Sequence, residues 1–174
     1  MSLWKCNQCG EVHESVPSSF SFRAPIYWNP DASIEGAART WIDQNFCIIR
    51  DEHFFIRGTL EIPIIESSEF FVFGVWSSLG AKNFERARAM ALEPGRTAEP
   101  PNFGWLSNRL WQYPDTLNLK CKVISQSVGR RPLIELEPTD HPLAVEQRNG
   151  ISQVRFVELS EQCLHGWKHP KSAV

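Results

Sequence analysis

The sequence predicts an α+β fold, in which a mostly antiparallel, twisted sheet has its helices packed on one side. Apolar runs in the middle of the chain, some with strict alternation of apolar and polar residues, are typical of strands. The predicted order is strands, helix, strands, helices, with short links between neighbouring strands, and this order favours α+β over a βαβ arrangement. A third observation is that Cys and His cluster near both termini, where a shared metal ion would hold the two ends of the chain together.

The composition predicts a single domain over residues 1–174. A chain of 174 residues can bury its own core, and 42% hydrophobic with 22% charged residues is ordinary for a globular protein. Seven Trp and eleven Phe are expected mainly in that core. The net charge of −2 offers no electrostatic attraction for nucleic acid or for an anionic membrane surface. We therefore expect neither as a partner.

The cysteine pattern and the lack of a targeting segment predict a cytoplasmic location. The first residues contain no basic region followed by an apolar segment, and no later stretch approaches a membrane span. Five Cys is an odd number, and their spacing is unlike that of a secreted disulfide framework. In a reducing compartment, Cys-x-x-Cys more often binds metal or is redox-active than forms a structural disulfide.

The middle of the chain predicts three strands. Residues 46–50 form an apolar, β-rich run, a polar turn follows, and residues 54–64 run back with alternation in their second half, which indicates a hairpin with one buried face. Residues 70–76 are apolar on both faces, so this strand is expected in the centre of a covered sheet. The residues that we expect in the core include Ile62, Phe71 and Val75.

Two helices are predicted between residues 31 and 92. A short one over 31–40 follows from helical spacing of apolar residues, and a longer one over 82–92 is ended by Pro94-Gly95. Residues 95–102 are predicted to be a polar loop, and residues 104–111 show no decisive pattern.

The last third of the chain predicts a second hairpin and two helices. Residues 117–123 alternate as a half-buried strand should, and residues 132–136 are expected to pair back against them. A helix over residues 140–148, with Pro in its first turn and a Gly stop at Gly150, comes next. Residues 152–165 complete the predicted order with a final helix.

The sharpest chemical pattern is Cys6-Asn7-Gln8-Cys9-Gly10-Glu11-Val12-His13, within a predicted zinc knuckle over residues 4–14. Two thiolates at this spacing reach one tetrahedral ion, and Gly10 allows the turn to fold back. His13 is the natural third ligand. A thioredoxin-like redox pair is the competing interpretation, but such a pair needs a helix N-terminus that lowers one thiol pKa. The residues after Cys9 are poor helix formers, so the metal interpretation is favoured.

The fourth ligand is expected from the other end of the chain, where His165 leads and Cys163 and His169 are alternatives. Cys163 falls on the apolar face of the last predicted helix, where a Cys usually acts as a small buried hydrophobe. Four protein ligands would make the zinc site closed and structural. Three would leave a position for water and permit hydrolysis.

No standard catalytic constellation occurs elsewhere in the sequence: there is no nucleophile elbow, no His-Glu-x-x-His and no Gly-rich phosphate loop. Cys47 and Cys121 lie in strand patterns and are expected to be inert. His53 and His141 are more typical of a solvated turn and a helix start than of general bases. Arg130-Arg131 is a basic turn able to grip a phosphate or carboxylate, although such pairs are usually solvated corners.

Several separated motifs resemble one bacterial family, that of the domain of unknown function number 2199. They are Cys6-x-x-Cys9-Gly10-x-x-His13, Phe55-Ile56-Arg57-Gly58, Leu60-Glu61-Ile62-Pro63, Gly74-Val75-Trp76, Tyr113-Pro114-Asp115-Thr116 and His141-Pro142-Leu143-Ala144 with Gln147 and Gly150-Ile151. The resemblance covers essentially the whole chain and implies one complete module. It also favours Cys6, Cys9 and His13 as a set, and implies no activity.

The functional expectation is a small cytoplasmic zinc-binding protein that works as a protein-binding or regulatory module, with an immunity-type module as one form of it. Its one zinc ion is expected to be structural, with Cys6, Cys9, His13 and His165 as ligands, and its partner to be another protein. The alternative is a zinc-dependent hydrolase with an open metal position.

Overall fold

The computed structural model describes residues 3–33 and 39–165. Its strands are β1 (Trp4–Lys5), β2 (Val12–His13), β3 (Ser19–Ser21), β4 (Trp41–Ile42), β5 (Phe46–Ile49), β6 (His53–Pro63), β7 (Phe70–Leu79), β8 (Asn102–Trp105), β9 (Lys120–Ile124) and β10 (Leu133–Leu136). Its α-helices are α1 (Ala81–Ala89), α2 (Pro142–Asn149) and α3 (Gln153–His165), and short 3₁₀ helices occupy Pro30–Ser33 and Pro94–Ala98. The chain is therefore α+β, as the sequence predicts.

The long hairpin of β6 and β7 is the centre of the sheet. The two strands pair antiparallel over ten residue pairs, from Phe54↔Leu79 to Pro63↔Phe70. The alternation that predicts this hairpin has the expected result, because Ile62, Phe71 and Val75 are all buried in the core.

The sheet is mixed, which corrects the prediction of a mostly antiparallel sheet. β3 runs parallel to β7, and β10 runs parallel to β6, whereas the pairs formed by β4 with β5, β5 with β6, β8 with β9 and β9 with β10 are antiparallel. The parallel pairs arise because β10 returns to β6 only after the excursion through α1, β8 and β9. The N-terminal strand β3 likewise joins β7 from outside the hairpin.

The sequence patterns do not predict the short strands β1 to β4 and β8, and several element boundaries differ from those predicted. β8 occupies Asn102–Trp105, in the stretch predicted as loop or left unassigned, and β9 starts at Lys120 instead of residue 117. Leu106, the residue that follows β8, forms an isolated antiparallel bridge with Ser77 of β7, so the sheet curls back on itself. Of the helix predicted over 31–40, the 3₁₀ turn Pro30–Ser33 is present, and residues 34–38 lie outside the described residues.

The three helices contribute to the same core cluster as the inner face of the central hairpin. Phe84 of α1, Leu143 of α2 and Phe156 of α3 all belong to it. The opposite face of the hairpin carries a smaller cluster that includes Phe55 and Trp76. This two-sided burial explains why β7 is apolar on both faces.

Helix α2 begins and ends, and helix α3 begins, where the sequence signals indicate. His141 caps α2, its Nδ1 accepting a hydrogen bond from the Leu143 amide at 3.2 Å, and Gly150 follows the last turn with a φ of 78°. The amide of Phe156 donates to the carbonyl of Ser152 at 2.9 Å, which starts α3. α3 then carries its last residues toward the N-terminal hairpin.

Candidate metal centre

The N-terminal hairpin β1–β2 places the first three predicted ligands around one tight turn. Trp4 pairs with His13 across the hairpin. Inside it, the Cys6 amide donates to the Glu11 carbonyl at 2.9 Å, and the Gly10 amide donates to the Cys6 carbonyl at 2.9 Å. Gly10 has a φ of 74°, a left-handed conformation that glycine adopts without a Cβ clash. The sequence thus folds this segment into a knuckle with its ligands on one side.

Cys6, Cys9, His13 and His165 come together at one point, with one ligand atom from each lying within 4.8 Å of all the others. The Cys6 Sγ lies 3.1 Å from His165 Nε2, and the Cys9 Sγ lies 3.3 Å from His13 Nε2. Ligand bonds of about 2.3 Å to sulfur and about 2.0 Å to nitrogen at tetrahedral angles separate such atoms by about 3.6 Å. These two pairs are therefore a few tenths of an ångström closer than in a filled shell, and all separations among the four atoms stay within 4.8 Å.

The cluster is buried on one side and open to solvent on the other. Cys6 is buried, Cys9 is exposed, and the two histidines are half-buried. The Gln8 amide donates to the Cys6 Sγ at 3.4 Å, so the buried sulfur already has a backbone partner, as thiolate ligands in a knuckle require. An ion could reach the site from the exposed side without unfolding the chain.

Helix α3 is joined to the knuckle by a contact that sequence reasoning missed. Glu161, only 5% exposed, accepts a hydrogen bond from the Asn7 amide at 2.7 Å through its Oε1. Glu161 lies one helical turn before His165, so one face of α3 presents both side chains to the knuckle. The spacing of four residues was the available signal, but a lone Glu on a helix is usually solvated.

The two alternatives for the fourth ligand have different outcomes. Cys163 is buried in the core, where its Sγ accepts a hydrogen bond from Gln112 Nε2 at 2.9 Å, and burial raises its pKa to about 12. It does not join the cluster. His169 lies outside the described residues.

The remaining candidates occupy the environments that the sequence predicts. Burial raises the pKa of Cys47 to about 12 and that of Cys121 to about 11, which leaves both thiols unreactive. His53 is exposed at the start of β6, and His141 is the cap of α2. None of these side chains belongs to the described metal cluster.

The electrostatics of the Cys pair argue against redox chemistry. The Glu11 amide lowers the pKa of the exposed Cys9 thiol, but partial desolvation and the adjacent Cys6 thiol outweigh it, so that the pKa lies above its usual value. A redox-active Cys needs a lowered pKa, commonly at a helix N-terminus, and the knuckle supplies none. A bound cation would reverse this balance, because it stabilises the thiolate.

The chain belongs to the family described as uncharacterized protein conserved in bacteria (DUF2199), whose pattern matches residues 5–151. This confirms the resemblance seen in the sequence motifs. The matched region includes Cys6, Cys9 and His13 and ends before His165. Neither the curated proteins nor the solved structures contain a match to the chain. In the described part of the chain, no helix combines the length and the hydropathy that crossing a bilayer demands.

Proposed function

We propose that this protein binds one zinc ion through Cys6, Cys9, His13 and His165, and that the ion has a structural role. The observation that supports the proposal is the convergence of these four side chains within 4.8 Å, three from one short hairpin and the fourth from more than 150 residues later. Two thiols and two imidazoles are the ligand set of one common class of structural zinc site.

The donor set favours zinc over other metals. Two sulfur and two nitrogen donors within 4.8 Å of one another fit Zn²⁺, which has no geometric preference of its own and binds both donor types. Calcium and magnesium prefer oxygen ligands, and iron–sulfur clusters are generally held by four thiolates. When bound, the ion supplies neutralisation of the two thiolates and a cross-link between the hairpin and α3.

Four protein donors favour a closed site over the hydrolytic alternative. A catalytic zinc generally keeps three protein ligands and one position for water. Here His165 Nε2 supplies the fourth donor, 3.1 Å from Cys6 Sγ, on the side of the cluster where α3 approaches. The geometry therefore supports a metal that holds the knuckle against α3.

We further propose that the module acts by binding a partner, which the sequence predicts to be another protein in the cytoplasm. The reason is that a metal that only stabilises a fold leaves function to the surfaces of that fold. This part of the proposal stays a prediction, and it rests on the structural role assigned to the metal.

Metal analysis of purified protein tests the metal assignment, with about one zinc per chain expected. Replacement of zinc by cobalt(II) should give the intense visible absorption of a tetrahedral site with thiolate ligands. Cys6→Ser should abolish stoichiometric binding, whereas the control Cys121→Ala, which removes a buried thiol outside the cluster, should retain it. A folded, metal-free protein, or an absorption spectrum of a site with bound water, would contradict the proposal.

A further inference from the structure

A second feature of the fold is a pocket at the place where β6 changes its partner strand. β6 pairs with β5 up to Phe46↔Ile56 and with β10 at Leu133↔Thr59, so Arg57 lies at the split between the two partners. The pocket that opens there has a volume of about 490 Å³. That volume is within the range of about 300–1,000 Å³ typical of small-molecule sites.

The pocket concentrates positive charge in a chain whose net charge is −2. Among the described lining residues, four are arginines and one is acidic: Arg57, Arg96, Arg130, Arg131 and Glu61. They come from β6, the 3₁₀ helix after α1 and the turn between β9 and β10. The fold therefore collects in one cavity charges that are scattered in the sequence.

These arginines are only weakly neutralised by the protein. Arg130 Nη2 lies 3.9 Å from Glu61 Oε1, at the outer limit of an ion pair. Arg96 donates to a carbonyl, that of Ala91, at 2.6 Å, and Arg131 Nε donates to Asn45 Oδ1 at 3.4 Å. Neutral partners leave the positive charges in place, so the cavity is electrostatically suited to an anion.

Arg57 is the least satisfied of the four. Its Nε is buried, and no side chain or carbonyl in the described part of the chain accepts a hydrogen bond from it. Its guanidinium lies 6.0 Å from the centroid of the Trp76 ring, which positions it without supplying an acceptor. Burial and the nearby charge of Arg131 lower the pKa of Arg57. A buried donor without a partner is unfavourable, and a bound oxyanion would satisfy it.

The opposite side of the same pocket is apolar. Phe46 and Ile56 line it from the sheet, and Ala87, Met90 and Leu92 line it from α1 and the turn that follows. An inorganic anion would leave this surface in contact with water. The combination fits a ligand with an apolar body and a charged group.

We propose that this pocket binds a small organic anion whose phosphate or carboxylate group pairs with Arg57 and Arg131. The apolar part of the ligand packs against Phe46, Ile56 and Met90. Arg130 and Arg96 add long-range attraction at the rim. This binding is independent of the metal centre, because no lining residue belongs to the Cys and His cluster.

Isothermal titration calorimetry with a matched set of aromatic probes tests the proposal. The probes are 1-naphthyl phosphate, 1-naphthoic acid, the uncharged 1-naphthol and inorganic phosphate. We expect at least one naphthyl anion to bind, and we expect naphthol and inorganic phosphate to bind at least about tenfold more weakly. Added salt should weaken the binding of the anion. Phosphate and carboxylate ligands are distinguished by which of the two anions binds more tightly.

Variants locate the binding. Arg57→Gln should weaken binding of the anion by about tenfold or more. Arg57→Lys retains the charge but loses the planar guanidinium, so its affinity should lie between those of Arg57→Gln and the unchanged protein. The control is Arg109→Gln, an exposed arginine paired with Asp115 outside the pocket, which should bind as the unchanged protein does. Equal binding of naphthol and the anions, no binding of either anion, or equal losses in Arg57→Gln and Arg109→Gln would overturn the proposal.

Discussion

His165→Ala isolates the one predicted ligand that comes from the distant end of the chain. The other three lie within eight residues of one another on the β1–β2 hairpin and can still hold an ion loosely after the change. His165 is half-buried at the end of α3, and its Nε2 lies 3.1 Å from Cys6 Sγ. Its removal should therefore affect the metal-bound protein strongly and the metal-free protein little.

The expected magnitude follows from the energetics of zinc ligation. Structural zinc sites in small peptides contribute about 10–16 kcal/mol over four ligands, or about 3 kcal/mol for each ligand. Loss of one ligand should therefore weaken zinc binding by about a hundredfold. At a fixed excess of zinc, hundredfold weaker binding lowers the free energy of unfolding by about 2.7 kcal/mol. For a chain of this length that corresponds to about 5–11 °C in Tm. In the presence of chelator, the free energy of unfolding should fall by less than about 1 kcal/mol, because only one weak hydrogen bond is lost.

Thermal unfolding with and without chelator, together with competition against a zinc indicator, measures both quantities. The matched control is His53→Ala, which removes an exposed histidine at the start of β6. It should change neither the Tm nor the zinc affinity. A Tm loss that is the same with and without zinc would show that His165 stabilises only by packing. Zinc affinity equal to that of the unchanged protein would exclude His165 as a ligand and reopen the hydrolytic alternative.

Two further changes test the core and the docking of α3. Phe71→Ala should lower the free energy of unfolding in chemical denaturation by about 3–5 kcal/mol. The reason is that Phe71 is buried and its ring packs against Phe73 and Phe156 at centroid distances of 4.9 and 6.0 Å. A loss below about 1 kcal/mol would contradict the central position of β7. Glu161→Ala should cost about 1–3 kcal/mol, because it leaves the Asn7 amide without its partner. Glu161→Gln should cost less, since its amide oxygen can still accept, and a larger loss for Gln than for Ala would refute the assigned contact.

Short-range signals were sufficient to predict most of the elements. The period-2 alternation over residues 59–64 and the polar turn before it predict the β5–β6 hairpin, because side chains on a strand must alternate between core and solvent. The helix starts and stops at His141, Gly150 and Ser152 depend on capping, which involves neighbouring residues only. Local chemistry of this kind can be interpreted without knowledge of the fold.

Long-range pairing could not be predicted in the same way. β8 has only four residues, and its Gly104 lies so close to β7 that a Cβ there would clash with Ser77 Oγ and the Ser78 carbonyl. This constraint exists only once β7 is in place. The parallel pairing of β10 with β6 likewise depends on where the chain returns after an excursion of many residues. Sequence periodicity contains no information on which distant strands become neighbours in the sheet.

The candidate metal site likewise has one part that local sequence predicts and one part that depends on long-range packing. Its local half is predictable, because Cys6, Cys9 and His13 lie on one turn. The choice between Cys163 and His165 depends on the rotation of α3: residues two apart on a helix point to nearly opposite sides, so that core burial of Cys163 turns His165 outward. The apolar face that buries Phe156 and Cys163 thus selects the histidine.

The same comparison explains why the arginine pocket was harder to foresee than the metal centre. Arg130-Arg131 alone has the pattern of a solvated turn, and Arg57 within β6 has the pattern of an outward-facing strand residue. Only the change of partner along β6 brings these side chains to one cavity with Arg96. Ligand-binding charge in this fold is created by topology, since no single segment contains it. Metal-binding chemistry depends on one turn of the chain and on one helix face directed toward it, and for that reason the sequence reveals it first.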